Sequence, residues 1–254
     1  MKRPVIDPAV LVILAGVCAA LHVGKLPPAL PVLRDALGVS LLQAGFLLSM
    51  VQLAGMSLGL AIGLAADGMG LRRSMLLGLG TLAVASLAGG WARGANDLLA
   101  LRALEGFGLL MAALPAPSLI RQLVPLNRLS AMLGLWGAYM PLGSALGLLF
   151  GPLVLGAIGW QGWWWGLGGL TVAMALWLAV GVPPDGFRGA ALARTPAPSS
   201  PWRQRLGRTL RARGPWLVAL SFAVYSSQWL AVIGFLPSIY VQAGLGGVAV
   251  GLLT

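Results

Sequence analysis

This sequence has too little charge to face water. Only 9% of its residues are Asp, Glu, Lys or Arg, against roughly 25% in a soluble domain. A chain that is 58% hydrophobic, with a mean hydropathy of +0.89, cannot be solvated all round and belongs in a bilayer. Reactive side chains are scarcer still: six acids, one histidine and one cysteine in 254 residues. The lone thiol, Cys18, excludes an internal disulfide. The same shortage leaves little material for the metal or nucleophile cluster of a membrane-embedded enzyme. No catalytic residue, metal site or cofactor is expected. No nucleotide-binding P-loop is present, so this chain does not use ATP. The run "GMSLG", Gly55–Gly59, matches a hydrolase pattern, but that pattern needs a strand-turn-helix elbow and triad partners. Here it falls inside an apolar run. The net charge of +11 does not indicate nucleic acid either, because the basic residues occupy gaps between hydrophobic runs rather than one face of a soluble domain.

What is abundant is apolar length. About 20 residues of helix cross the ~30 Å hydrocarbon layer. Runs long enough are Val10–Leu33, Leu41–Ala66, Ser74–Trp91, Leu98–Leu123, Leu129–Ile158, Trp163–Val182 and Trp216–Val241, and another begins near Val248. The expected fold is all-α, with seven complete transmembrane helices and a truncated eighth. Met1-Lys2-Arg3 before an apolar run looks like a signal peptide, but the run carries His22 and Lys25 and lacks a small-residue exit, so it reads as the first span.

Basic residues predict the orientation. Lys2, Arg3, Arg72, Arg73, Arg121, Arg128 and seven more from Arg188 to Arg213 fall on one side, and only Arg34 and Arg93 on the other. Positive loops stay inside, which places the N-terminus in the cytoplasm of a multi-pass protein of a cell membrane, by expectation a bacterial inner membrane. Trp160 and Trp163–Trp165 are expected at the outer interface. The Pro/Ser-rich stretch around Pro196–Pro201 reads as a flexible linker. After it, Trp202, Leu206 and Leu210 share a face among arginines, as in a helix lying on an anionic leaflet. The chain thus divides into 1–182, a six-helix bundle; 183–214, a basic cytoplasmic linker; and 215–254, the start of a second bundle.

An offset of 206 relates Pro31, Gly38 and Gly45 to Pro237, Gly244 and Gly251. Such a parallel duplication of six spans is a transporter architecture. On this register Thr254 corresponds to Leu48, in mid-span, and the sequence reads as the N-terminal part of a protein nearly twice the six-span unit.

One loop interrupts the apolar pattern: "GLAADGMGLRRSM", Gly63–Met75. A basic turn explains Arg72 and Arg73 but neither Asp67 nor the spacing of Gly63 and Gly70. The loop resembles the signature of the major facilitator superfamily between its second and third spans. "RALEGFG", Arg102–Gly108, is similar to that family's fourth-span pattern, with Glu105 where glutamine is usual. "GSALGLLFGP", Gly143–Pro152, resembles the fifth-span glycine motif of its exporters. The resemblance implies two six-span bundles rocking around a central site. It also implies a gating loop in which Asp67 is the latch acid, Gly63 and Gly70 shape the turn, and Arg72 and Arg73 are basic partners. It implies a coupling role for Arg102, and "GLWGAYMPLG" and "GFLPSIYV" resemble the cyanate and nitroimidazole permease branch.

Ionisable residues inside spans cost at least ~2.5–3.5 kcal/mol and need a reason. His22 and Lys25 lie three apart in the first span, just before Pro27, Pro28 and Pro31, which should kink or break the helix. A cationic pair beside a break is a candidate site for a small, anionic or polar substrate. The alternative is that Lys25 snorkels and His22 bonds a carbonyl. Arg102 and Glu105 are a proton-responsive pair or a neutralising structural pair. Tyr225 and Gln228, with Ser226 and Ser227, form a polar band that could wall the opposite side or simply bond helices together. Gly55, Gly59 and Gly63 in span 2, and Gly143, Gly147 and Gly151 in span 5, predict close helix packing. The expected function is a secondary transporter coupled to an ion gradient, with protons the expected ion. The partners are a small-molecule solute and the lipid bilayer, not nucleic acid. A membrane enzyme or a non-transporting scaffold or sensor are the alternatives.

Overall fold

The computed structural model describes residues 6–53, 69–185 and 202–244, with the backbone alone at 202–206 and 229–231. All regular structure among them is helical. In chain order the helices are α1 (Pro8–Gly24), α2 (Leu26–Leu37), α3 (Leu41–Leu53), α4 (Leu71–Gly89), α5 (Ala95–Ala113), α6 (Ala116–Leu123), α7 (Leu126–Gly137), α8 (Tyr139–Gly181), α9 (Trp202–Arg211) and α10 (Arg213–Gln242). Five helical stretches are long and apolar enough to cross a membrane: Pro8–Leu37, Leu71–Gly89, Ala95–Leu123, Leu126–Gly181 and Arg213–Gln242. The eighth run, from Val248, and most of the second beyond Leu53 lie outside the described residues.

The 56-residue stretch is bent into two arms. At Gly159 the backbone takes φ 71° and ψ 177°, a left-handed geometry that a Cβ would strain. The two arms of α8 then run in opposite directions along α1. In the first arm Gly143, Gly147 and Gly151 meet Ala20, Gly24 and Pro28 in rising order. In the second, Thr171 reaches His22 and Gly181 reaches Leu11, in falling order. The glycines of span 5 therefore serve close packing on the first span, as their spacing by four predicts. A Cβ on Gly147 would lie 2.8 Å from the carbonyl carbon of Gly24.

The prolines after Lys25 interrupt the helix less than their number suggests. α1 ends at Gly24 and α2 begins at Leu26, yet Lys25 keeps helical angles (φ −68°, ψ −29°) and its N–H still donates to Leu21 O at 2.8 Å. Pro27 falls in the first turn of α2, where its missing donor is least felt. The result is a jog in a 30-residue stretch rather than an unwound segment.

Two apolar layers fill the bundle. One gathers Leu11, Met75, Leu119, Met174 and Leu178, the other Leu26, Leu30, Leu98, Trp164 and Leu167. Between them, on the same four strings of helix, lie His22, Lys25, Ser86, Arg102, Glu105 and Thr171, all buried. Trp160, Trp163 and Trp164 belong to the second layer and are at most 6% exposed, so they are core residues rather than the interfacial belt that their position suggests. Gly89 makes the room: a Cβ there would lie 2.7 Å from Trp164 Nε1. Only Trp165, against Trp91 with ring centroids 5.4 Å apart, stays partly open.

The offset of 206 has a backbone counterpart. Gly38 (φ 64°) follows α2 and Gly244 (φ 84°) follows α10, each turning the chain left-handed just past a 30-residue stretch, and Pro31 and Pro237 both sit inside their helices. Gly251 lies outside the described residues.

Replacing Gly147 by alanine forces its Cβ into the Gly24 backbone and should cost about 1–3 kcal/mol. Gly156→Ala, which meets no heavy atom within 4 Å, should be neutral or stabilising. Thermal unfolding of the two variants in detergent reads the contrast.

Candidate functional site

The layer between the apolar cores is a single ion cluster. Glu105, the one glutamate in the chain, projects from α5 between two cations. Its Oε1 accepts from Lys25 Nζ of the α1–α2 junction, and its Oε2 accepts from Arg102 Nη1 at 2.5 Å, one turn earlier on α5. The same Nη1 donates to His22 O at 2.7 Å, and Arg102 Nε donates to Leu47 O of α3 at 3.3 Å. Lys25 Nζ also donates to Ser86 Oγ on α4 at 3.1 Å and sits 4.7 Å from the Trp164 ring centroid. Ser86 in turn donates to Trp164 O at 2.8 Å, and Trp163 Nε1 donates to Lys25 O at 3.2 Å. One lysine thus ties together α1, α4, α5 and the second arm of α8.

The tautomer of His22 follows from its neighbours. Thr171 Oγ1 donates its only proton to Leu167 O at 2.7 Å, so it accepts from His22 Nε2–H at 2.8 Å. That leaves Nδ1 as a bare acceptor, 3.4 Å from Lys25 Nζ and 3.8 Å from Glu105 Oε1. A proton added at Nδ1 would face the carboxylate directly. The group therefore contains a donor, an acceptor and a carboxylate within one hydrogen-bond network.

The structure unites His22 and Lys25 with Arg102 and Glu105, four residues expected to form two separate features. It differs from expectation in one respect: His22 and Lys25, 1% and 0% exposed, do not line an open cavity. The counter-charge of Glu105 makes that burial affordable, since a buried ion needs a paired and hydrogen-bonded partner. The open space lies on the other side of α1, where a cleft of ≈ 320 Å³ is lined by Val23, Gln52, Tyr139, Met140, Tyr225 and Ser226 among others. Tyr139 stacks on Trp136, centroids 4.1 Å apart, which fixes one wall. Tyr225 reaches this cleft from α10. Gln228, exposed on the same helix, is not among its lining residues.

At the other end of α4, Gly70, Arg72 and Arg73 meet an acid that sequence reasoning did not single out. Asp185 Oδ1 and Oδ2 accept from the backbone N–H groups of Arg72 and Arg73 at 2.8 and 2.9 Å. The carboxylate so placed caps the helix N-terminus, where negative charge is stabilised. Arg72 Nη2 donates to Ala179 O at 2.5 Å, pinning this corner to the end of α8. Gly63 and Asp67 lie outside the described residues. Ser86 and Thr171 were also missed, because a lone hydroxyl in an apolar span carries no signal of its own, and Trp164 was expected only as an interfacial residue.

Removing Glu105 should leave two buried cations unpaired. Glu105→Ala should cost about 3–5 kcal/mol, and adding Lys25→Met should recover part of that loss. Thermal unfolding of the two single variants and the double variant tests the coupling, and strict additivity would contradict it.

Residues 12–254 match the family model of the Major Facilitator Superfamily. An uncharacterized MFS-type transporter of Mycobacterium tuberculosis (strain ATCC 25618 / H37Rv) is 33% identical over 102 residues, 40% of this chain and 18% of that protein. The methylenomycin A resistance protein of Streptomyces coelicolor (strain ATCC BAA-471 / A3(2) / M145) is 34% identical over 149 residues, 57% of this chain and 31% of that protein. Among solved structures, a bacterial homolog of the human lysosomal transporter Spinster, inward-facing and unoccupied, superposes with a TM-score of 0.82 at 16% identity, covering 97% of this chain and 57% of its own. A D-xylose-proton symporter superposes with a TM-score of 0.75 at 13% identity, covering 98% and 65%. The chain thus spans less than two thirds of the length of each of these proteins.

Proposed function

The chain belongs to the major facilitator superfamily, and on that premise we propose that it works in a secondary transporter that moves a small anionic solute by alternating access, coupled to protons. The observation that carries this reading is the Lys25–Glu105–Arg102 cluster, buried beside a cleft that α10 helps to wall. An ion cluster at mid-height of a membrane bundle is costly, and such groups mark ion paths and proton relays. The family, the transporter relatives and the proton symporter among the structural neighbours support the coarser part of the reading.

In this mechanism Glu105 is the proton acceptor. Ionised, it draws Lys25 and Arg102 together and so locks the α1–α2 junction to α5. Protonated, it holds one oxygen as a donor and loses the charge that attracts both cations. Lys25 is then released toward His22 Nδ1 and Ser86, and the packing of the first span on α4 and α5 loosens. A proton thereby biases a two-position element, which is the requirement for coupling. The solute enters the cleft between α1, α3 and α10, where Tyr139 and Tyr225 supply aromatic surface and Gln52 and Ser226 supply polar contacts. Gln228 and the region around the His22–Lys25 pair complete the path when the helices move. Gly63, Asp67, Gly70, Arg72 and Arg73 form the gating loop at the inner face, with Asp185 as the anchor of its arginine end. The basic residues support an inner position for the N-terminus and for the connection 183–214.

Glu105→Gln, fixed in a neutral state, should abolish uptake driven by an imposed pH gradient while retaining counterflow exchange. The protein at its natural encoded length, in proteoliposomes, is tested with labelled formate, acetate, nitrate and phosphate. The proposal fails if none of them accumulates with the gradient or if the variant stays gradient-driven. For orientation, a thiol introduced as Ser199→Cys should react with an impermeant maleimide only in inside-out vesicles. Buried Cys18 should contribute no background.

A further inference from the structure

Arg102 is not used up by the ion cluster. Its Nε and Nη1 donate to Leu47 O, His22 O and Glu105 Oε2, while Nη2 makes no hydrogen bond among the described residues. Next to the guanidinium lies a crevice of ≈ 10 Å³, walled by Val23, Gly24, Leu48 and Ser144 and closed by Ile233 and Gly234 of α10. That is room for about one water-sized atom. Ser144 is 2% exposed and its Oγ has no partner, not even the helix carbonyl that a serine usually finds. Its place is set by the tight α1–α8 contact: a Cβ on Gly24 would lie 2.6 Å from Ser144 O.

The chemistry of this crevice is one-sided. Its polar groups are a guanidinium and a hydroxyl; the other walls are apolar and no acid lines it. Both carboxylate oxygens of Glu105 are already engaged. With His22 in the neutral tautomer derived above, two cations face one carboxylate, so the buried layer carries an unbalanced positive charge. A buried polar group without a partner is unfavourable, and an anionic oxygen in the crevice that Arg102 lines would satisfy Ser144 Oγ and the charge together.

We propose that the Arg102–Ser144 crevice is a single-oxygen subsite that receives one carboxylate oxygen of the transported solute. This rests on the carrier reading above and assigns the recognising groups: Arg102 and Ser144 bind the carboxylate, while Lys25 and His22 act behind them through Glu105. Val23 lines both the crevice and the larger cleft, so the two adjoin. α10 controls access. At Gly234 it approaches so closely that a Cβ would lie 2.8 Å from Leu48 Cδ1, and withdrawal of α10 would open the crevice to the body of a solute.

The test uses formate, the smallest carboxylate, with the protein at its natural encoded length in nanodiscs and ionic strength held with sodium chloride. Formate should raise the wild-type unfolding temperature saturably. Ser144→Ala should weaken the apparent formate affinity at least ten-fold, yet its unfolding temperature without formate should equal or exceed wild type, because the lost hydroxyl had no partner. The subsite is refuted if formate gives no saturable shift, if Ser144→Ala responds like wild type, or if that variant is destabilised without formate. Gradient-driven uptake is measured in parallel. Uptake without a formate shift overturns the subsite and leaves the carrier. A formate shift with no driven uptake of any tested solute overturns the carrier reading and, with it, the subsite's role in transport.

Discussion

The attraction of one carboxylate for two cations organises this molecule. Glu105 is held between Lys25 and Arg102 in a buried layer, where Arg102 shares α5 with it and Lys25 reaches it from the α1–α2 junction. In the low dielectric of such a layer an unpaired ion is expensive, so the three side chains cannot be placed independently. Their pairing dictates how α1, α2 and α5 face one another, and Ser86 and Trp164 extend the constraint to α4 and α8. Apolar packing above and below is permissive by comparison, because one leucine can replace another at little cost.

The same arrangement is suited to switching. The proposed switch needs a cluster held by charge, because a core held by leucines has nothing to protonate. Small residues bring the first span into backbone contact with the first arm of α8, while the second arm meets it through the His22–Thr171 and Leu11–Gly181 contacts. The cleft and the ion layer meet different sides of the first span, with Val23 toward the cleft and His22 toward Thr171. In the proposed mechanism a solute and a proton therefore act on the same element. The crevice at Arg102 is where the two faces come nearest.

The relatives fit this division. Two curated proteins match over part of their length at about one third identity, while the structural neighbours superpose over nearly all of this chain at 13–16% identity. What persists at such low identity is the path of the helices, and that path brings residues from four helices into one layer.

Much of the architecture was legible from composition and spacing. The all-helical fold and its long apolar stretches follow from apolar length, because a bilayer forces every backbone polar group into a helix. The glycine rows of span 5 predicted a close contact, and the offset of 206 reappears as the left-handed turns at Gly38 and Gly244. The four ionisable residues inside spans were conspicuous for the same reason: each is costly in lipid. Sequence alone could not say that they meet. Lys25 and Glu105 are 80 residues apart, and periodicity reports which face of its own helix a residue occupies, not which helix it faces. The tertiary structure decided that the pair in span 1 is buried against span 4 rather than open to a cavity, that the tryptophans after Gly159 fill the core, that Asp185 caps α4, and that Ser144 is left without a partner. Each of these depends on the rotation and approach of whole helices, which long-range packing sets and no local pattern encodes.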